Sequence, residues 1–240
     1  IFGLCILLAP LVWPQAAAAV GYPEARHLLS RTGLGATPAE IERLGALDYD
    51  AAVRRLLDGT RTQPLTPAPA WVDAPPPDPT RIRAMNETER KAFQRARRED
   101  AIDLKAWWYA EMISTDSPLT ERMTLFWHNH FTSSIQKVKS PTLLYRQNLL
   151  LRRHAFSDFR ALLRAVARDP AMVLYLDNQT TRKGQPNENF ARELLELFTL
   201  GEGHYGEQDI KEAARAFTGW QVDRRSGEFR FVQALHDDGV

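Results

Sequence analysis

Cysteine is almost missing: Cys5 is the only one in 240 residues, which excludes an internal disulfide framework and any cysteine-built zinc or iron–sulfur centre. Net charge is almost missing too. The 31 Lys and Arg offset 30 Asp and Glu, so no global field draws the chain to nucleic acid or to an anionic membrane. No nucleic-acid recognition motif occurs, and nucleic acid is not an expected partner. There is no G-x-S-x-G elbow, no P-loop and no zincin motif, and no repeat of fixed period. What is present, 44% hydrophobic and 25% charged residues, is the composition of a globular protein. A chain of this length buries roughly 70% of its surface, enough for one domain or two small ones.

Apolar sequence is concentrated at the start. Ile1 to Trp13 is uncharged, interrupted by Pro10, and followed by Ala16 to Ala19. That is the h-region and cleavage region of a secretory signal peptide (residues 1–19), whose basic n-region is expected to precede Ile1. Cleavage after Ala18 or Ala19 would leave Val20 or Gly21 at the mature start and remove the only thiol. The rival is an uncleaved anchor, but the run is shorter than the roughly 20 residues of a spanning helix. The expected location is therefore periplasmic or extracellular.

The body reads as helices. Thr37-Pro38-Ala39-Glu40 spells a capping box with proline at the first helical position, and residues 20–63 form an N-terminal helical group. Between Pro64 and Pro79, 7 of 16 residues are proline, so that stretch is expected to be extended and outside the core, either as a linker or as a surface crossing. Residues 80–240 then form the main helical domain. A long helix is expected from Arg81 to Met112, others after Ser117-Pro118, Ser140-Pro141, Ser157 and Asp169-Pro170, and the strongest from Glu188 to Leu200, stopped by Gly201. Trp220 and Val222 are expected to pair with Phe229 and Phe231 in a hairpin. The fold class is all-α, an irregular multi-helix domain with a minor β-hairpin near its C-terminus. The domain is expected to continue past Val240.

Three clusters could carry chemistry. In Trp127-His128-Asn129-His130-Phe131, two of six histidines lie two residues apart; on a continuous helix they point about 200° apart, so they cannot share a ligand. Either could transfer a proton, and either could be a packed, hydrogen-bonded side chain. In Asn187 to Phe198, Asn189, Glu193 and Glu196 share a helical row, so two carboxylates could bind a divalent cation or hold a raised pKa. The alternative is a surface network in which Glu188 and Glu196 pair with Arg192. The turn Gly201 to Asp209 adds His204 and Asp209 as candidate ligands beside Glu193 and Glu196, without an EF-hand register. The catalytic candidates are His128, His130, Glu188 and Glu193.

Charge is uneven locally. Lys137, Lys139, Arg146, Arg152, Arg153, Arg160, Arg164 and Arg168 face only Asp158 in their segment, while Asn187 to Glu212 is acidic. The two segments could pack against each other. Otherwise the basic one is a surface for an anionic glycan or envelope polymer, with Arg160 and Arg164, four residues apart, on one exposed edge.

Three stretches carry a resemblance: ARHLLSRTGLGATPAEIERL from Ala25, LTERMTLFWHNHFTSS from Leu119, and PNENFARELLELFTLGEGHYGEQDIKEAARAFTGW from Pro186. With these the chain resembles the bacterial family known as domain of unknown function 1800. The family's W-H-x-H-F motif falls on His128 and His130, its N-E-N-x-A-R-E motif on Asn187 to Glu193, and its helix-to-T-G-W motif on Asp209 to Trp220. Gly206 departs from the Thr or Ser that relatives use as a helix cap. The resemblance implies an exported protein, members about twice as long, and a secreted sulfatase-like protein as partner; it implies no reaction. Two functional classes follow: an envelope or extracellular-polymer interaction domain, and a metal-assisted hydrolase acting on such a substrate.

Overall fold

Threonine, serine, asparagine and aspartate caps divide this chain into short helices. The computed structural model describes residues 18–74, 79–223 and 225–239; the expected leader up to Ala17 and the Pro75–Pro77 run lie outside the described residues. Among the described residues the chain is predominantly helical, with one two-stranded antiparallel hairpin near its C-terminal end. Among the described residues, no helix is long and apolar enough to cross a membrane. The chain divides into two compact units, with the boundary between Asp58 and Gly59.

The first unit holds α1 (Tyr22–Thr32), α2 (Pro38–Gly45) and α3 (Tyr49–Asp58). The capping box forms at the start of α2: Glu40 N donates to Thr37 Oγ1 at 3.3 Å and Thr37 N to Glu40 Oε2 at 2.6 Å. Ala25, Ile41, Leu44 and Ala52 make the buried centre. Gly45 lets α2 end against the start of α1, because a Cβ there would lie 3.0 Å from the Gly21 carbonyl oxygen.

The second unit begins with the proline-rich stretch. It is not wholly outside the core as expected, because Val72 packs with Trp107 and Tyr145. Next come α4 (Pro79–Ala84) and α5 (Glu87–Ser114). One helix was expected here. Asn86 splits it, since its Oδ1 accepts from Glu89 N at 2.9 Å and restarts the helix with a capping box. The remaining helices are α6 (Pro118–His130), α7 (Ile135–Val138), α8 (Pro141–Arg153), α9 (Phe159–Ala167), α10 (Pro170–Tyr175), α11 (Glu188–Glu193) and α12 (Glu207–Ala216). Asp158, rather than Ser157, caps α9, accepting from Ala161 N at 3.0 Å. Strands β1 (Trp220–Val222) and β2 (Phe229–Phe231) pair as expected, Trp220 with Phe231 and Val222 with Phe229. Gly219 precedes them at φ 82°, and a Cβ there would meet the Val232 carbonyl oxygen at 2.8 Å.

The helix expected to run from Glu188 to Leu200 is α-helical only to Glu193. Leu194–Thr199 is a π-helix, closed by Leu200 N donating to Leu195 O at 2.8 Å. A π-turn adds a residue to the helical repeat and moves the apolar stripe one position along. The apolar spacing of Phe190, Leu194 and Leu197, extended by Phe198, predicts one stripe, and only Leu197 leaves it: Phe198 is 6% exposed and Leu197 is 60% exposed. Phe198 joins Phe131, Leu151, Leu162, Val166, Met172 and Phe190 in the main core.

Charge is also buried. Arg152, Glu111 and Glu121 are each at most 1% exposed. Arg152, from the last turn of α8, donates through both terminal nitrogens to Glu121 on α6, with Nη2 to Oε2 at 3.0 Å, and lies 3.6 Å from Glu111 Oε1 on α5. Glu111 accepts the backbone N–H groups of Leu65 and Thr66 at 3.0 and 2.6 Å. Trp108 Nε1 donates to Glu121 Oε2 at 3.2 Å, and Asn148 Oδ1 accepts from Arg152 Nη2 at 3.3 Å. Burial pushes the Glu121 carboxyl above the usual carboxylate range against the pull of Arg152. Burial acts on Glu111 too, but the Thr66 and Leu65 donors outweigh it and hold that carboxyl low.

Replacing Arg152 by Met would strand two buried carboxylates, so urea unfolding at pH 7 should show a loss of about 3–5 kcal/mol. Adding Glu121→Gln to that variant should recover part of the loss. Asp169 makes a second prediction. Its Oδ2 accepts from Gln147 Nε2 at 2.7 Å and Met172 N at 3.0 Å, yet burial raises its pKa to about 7. The folded state therefore holds a proton that the unfolded state releases near pH 4. Stability from this group is full below pH 4 and falls by up to about 1.4 kcal/mol per unit as pH rises toward 7. In Asp169→Asn the difference from wild type across pH 4–7 should show that slope, and parallel curves would refute it.

Candidate functional site

α6 remains a regular helix through His130, so the two histidines of its last turn face different ways. His130 enters an aromatic cluster, with ring centroids 4.6 Å from Phe131, 5.9 Å from Trp127, 6.2 Å from Phe198 and 6.3 Å from Phe159. Its Nε2 lies 3.1 Å from the Phe198 carbonyl oxygen. A carbonyl only accepts, so Nε2 carries a proton, and the other ring nitrogen, Nδ1, makes no hydrogen bond among the described residues. The π-turn supplies this partner, since a helix's last carbonyls have no acceptor role within it. His128 instead meets the ring of Trp108 at 5.1 Å, edge to face, and burial lowers its pKa, so it is neutral at pH 7.

The α6 sequence also misleads about its buried face. Phe126, expected inside by spacing, is exposed, whereas Thr120, Glu121 and Thr124 are buried. Thr124 Oγ1 satisfies itself on the Thr120 carbonyl at 2.8 Å, and Glu121 is held by Arg152, so this polar row can face inward.

His130 and Glu193 line one cleft of about 520 Å³, together with Thr132, Lys137, Tyr175 and Asn189. Two separate sequence motifs meet there. Burial, then the neighbouring Glu196, raises the Glu193 pKa, and no hydrogen bond or ion pair engages its carboxyl among the described residues. Asn189 is anchored by Nδ2 donating to Leu176 O at 3.2 Å, and Lys137 by Asp177 at 2.6 Å. An imidazole in one cleft with a carboxyl of raised pKa is a pair suited to proton transfer.

The other candidates are engaged elsewhere. Glu188 pairs with Arg192 at 3.3 Å, and Arg192 reaches Glu207 at 3.0 Å rather than Glu196. Glu196 accepts from Tyr205 Oη at 3.0 Å, and Asp209 accepts from Gly206 N at 2.8 Å, the half of a capping box that needs no side chain at Gly206. His204 is exposed. Glu193, Glu196, His204 and Asp209 thus do not converge, and among the described residues no group of three or more His, Cys, Asp or Glu is placed to hold a metal ion. His128 lines a different cavity from His130.

The basic segment divides. Lys137 pairs with Asp177, Arg146 with Glu228 at 2.9 Å, and Arg152 with the buried glutamates. Arg153, Arg160, Arg164 and Arg168 are exposed and, among the described residues, make no hydrogen bond or ion pair. In the acidic segment Arg192 pairs with Glu188 and Glu207, and Arg215 pairs with Glu212. No ion pair among the described residues joins the two segments; what they share is the apolar core, where Leu151, Leu162 and Val166 lie in one cluster with Phe190 and Phe198.

The residues that sequence reasoning missed are Glu111, Glu121 and Asn148. Their signal was available: each sits at helical spacing within an apolar or small-residue row, where a charge must find a buried partner.

No curated protein and no solved structure matches the chain. One family model does, described as a protein of unknown function, DUF1800, and it matches residues 27–240. That span takes in both histidines of α6, the Asn187–Glu193 motif and the Thr218-Gly219-Trp220 ending, so the chain belongs to the bacterial DUF1800 family.

Proposed function

We propose that this is an exported domain that holds an anionic glycan or other acidic envelope polymer along the exposed edge of α9. The observation that carries the reading is the unpaired row Arg160, Arg164 and Arg168, with Arg153 at the end of α8. Residues four apart on a helix rise about 6 Å per step, a spacing that suits successive acidic groups on a polymer. Arginine is also the side chain best shaped for paired contacts to sulfate, phosphate or carboxylate oxygens. Asp158, the one acid nearby, is turned to cap the helix. Phe159 starts the same helix and packs beside His130. A polymer lying on α9 would therefore run toward the His130–Glu193 cleft. A secreted sulfatase-like partner would fit a sulfated polymer of this kind.

The second reading is hydrolytic, supported by that cleft. In it, His130 acts as base through Nδ1 and Glu193 as acid. A metal-assisted form would have to recruit ligands beyond these two, because Glu196 and Asp209 are already committed.

Retention on heparin and on polygalacturonate should fall with added salt, since exposed charges are screened within about 8 Å at physiological ionic strength. The double reversal Arg160→Glu/Arg164→Glu should weaken retention by about tenfold or more while moving stability by no more than about 0.5 kcal/mol. Retention indifferent to salt and to the reversal would overturn the polymer reading. For the hydrolytic reading, His130→Gln and Glu193→Gln should each abolish release of reducing ends from a bound polysaccharide without abolishing its binding. Elemental analysis of the same protein should find well under one equivalent of divalent metal. A full equivalent lost in Glu193→Gln would restore the metal-assisted form.

A further inference from the structure

The cavity on the His128 side has a different chemistry. It encloses about 390 Å³ between α5, α6, the Ser133–Gln136 segment and α8, within the size range of small-molecule sites. Leu104, Trp108, Met112, Leu125, Ile135 and Leu144 make most of its wall. Lys105, His128, Ser133, Ser134, Gln136 and Asn148 supply the polar part of that wall.

Asn148 is the informative one. It is 7% exposed, and its Oδ1 accepts from Arg152 Nη2. A guanidinium can only donate, so the amide orientation is settled by chemistry: the oxygen must face Arg152 and the NH₂ must face away. Among the described residues that NH₂ has no hydrogen-bond partner, and the side chain lines the cavity. That NH₂ opens on the cavity, where water or a ligand's acceptor can meet it. The surroundings hold it rigidly. Arg152 is clamped by Glu121 and Glu111, and Trp108 is fixed by Nε1 donating to Glu121 and by the edge of His128. The Ser133 hydroxyl is spent on Gln147 Oε1. The His128 ring makes no hydrogen bond among the described residues, so its two nitrogens offer one more donor and one acceptor.

We propose that this cavity is a binding site for a small, uncharged, mostly apolar ligand that presents a carbonyl-type acceptor to the Asn148 amide. The apolar wall requires an apolar body. The single oriented donor requires an acceptor. Arg152 offers an anion nothing, because it is already held between two carboxylates, and Lys105 on the wall is exposed and keeps its charge in water, so the charged probe below tests it directly. Tyr109 stands at the rim and shares an exposed apolar row on α5 with Ile102 and Ile113, so the approach is apolar as well. The site is separate from the α9 row and from the His130–Glu193 cleft, and it does not depend on either reading of the function.

Three probes of similar shape test it on the full chain: acetophenone, which has the acceptor; isopropylbenzene, which lacks it; and benzoate, which is charged. Tryptophan fluorescence and the indole N–H resonance of Trp108 report binding. Acetophenone should bind, isopropylbenzene should bind about tenfold more weakly, and benzoate should not compete. Asn148→Asp keeps an oxygen for Arg152 and replaces the donor by an acceptor, so it should erase the preference for acetophenone. Ala101→Trp fills the cavity from its α5 wall, away from the buried charges, and should abolish binding of every probe with the melting curve unchanged. Equal affinity for acetophenone and isopropylbenzene, stronger binding of benzoate, binding that survives Ala101→Trp, or no binding at millimolar probe would each overturn the proposal.

Discussion

Arg152 carries one positive charge into the interior of the second unit, where two glutamates from different helices close on it. A guanidinium without water around it must have its donors met by acceptors in a fixed plane. Glu121 on α6 accepts from both terminal nitrogens and Glu111 on α5 adds its charge at 3.6 Å, leaving only Nε without an acceptor among the described residues, and Glu111 also takes the backbone donors of Leu65 and Thr66. One side chain thereby sets where three helices and the start of the proline-rich stretch can lie. The arrangement is expensive to break and contributes less to net stability than apolar packing of equal volume would. Its effect is to make one geometry acceptable and its neighbours costly.

Both cavities of the second unit inherit that geometry. Trp108 is turned by its bond to Glu121, and Asn148 by its bond to Arg152, so one wall of the His128 cavity is a by-product of satisfying the buried charge. The His130 cleft depends on a second constraint, the π-turn at Leu194–Thr199. The extra residue brings Phe198 inward, places its carbonyl under His130 and leaves Glu193 on the cleft wall. Ser134 lines both cavities, so the short segment after α6 separates the His128 cavity from the His130–Glu193 cleft.

The outer surface follows a different logic. Charges that could pair within their own helix or with the hairpin have done so, as Arg192, Arg215 and Arg146 show. The α9 row stands apart because Asp158 spends its carboxylate on the helix cap. A row of uncompensated guanidinium groups is tolerated on a surface, where water solvates each one, and it is available to any ligand with repeated negative charge.

The sequence by itself determined the helical character, most helix starts and the hairpin register, because capping residues, prolines and apolar spacing act within a few residues of where they stand. It also determined that His128 and His130 point apart, since helix geometry alone decides that. It could not show that Asn86 would split the long helix, although the capping pair Asn86 and Glu89 was legible. Tertiary structure decided the rest. Glu111, Glu121 and Arg152 are far apart along the chain, so their meeting depends on how α5, α6 and α8 pack. Local spacing admits both Leu197 and Phe198 to the buried stripe, and only the π-turn and the surrounding core leave Leu197 outside it. Which arginines stay free is likewise settled by the distance to carboxylates on other segments, a quantity that no local pattern encodes.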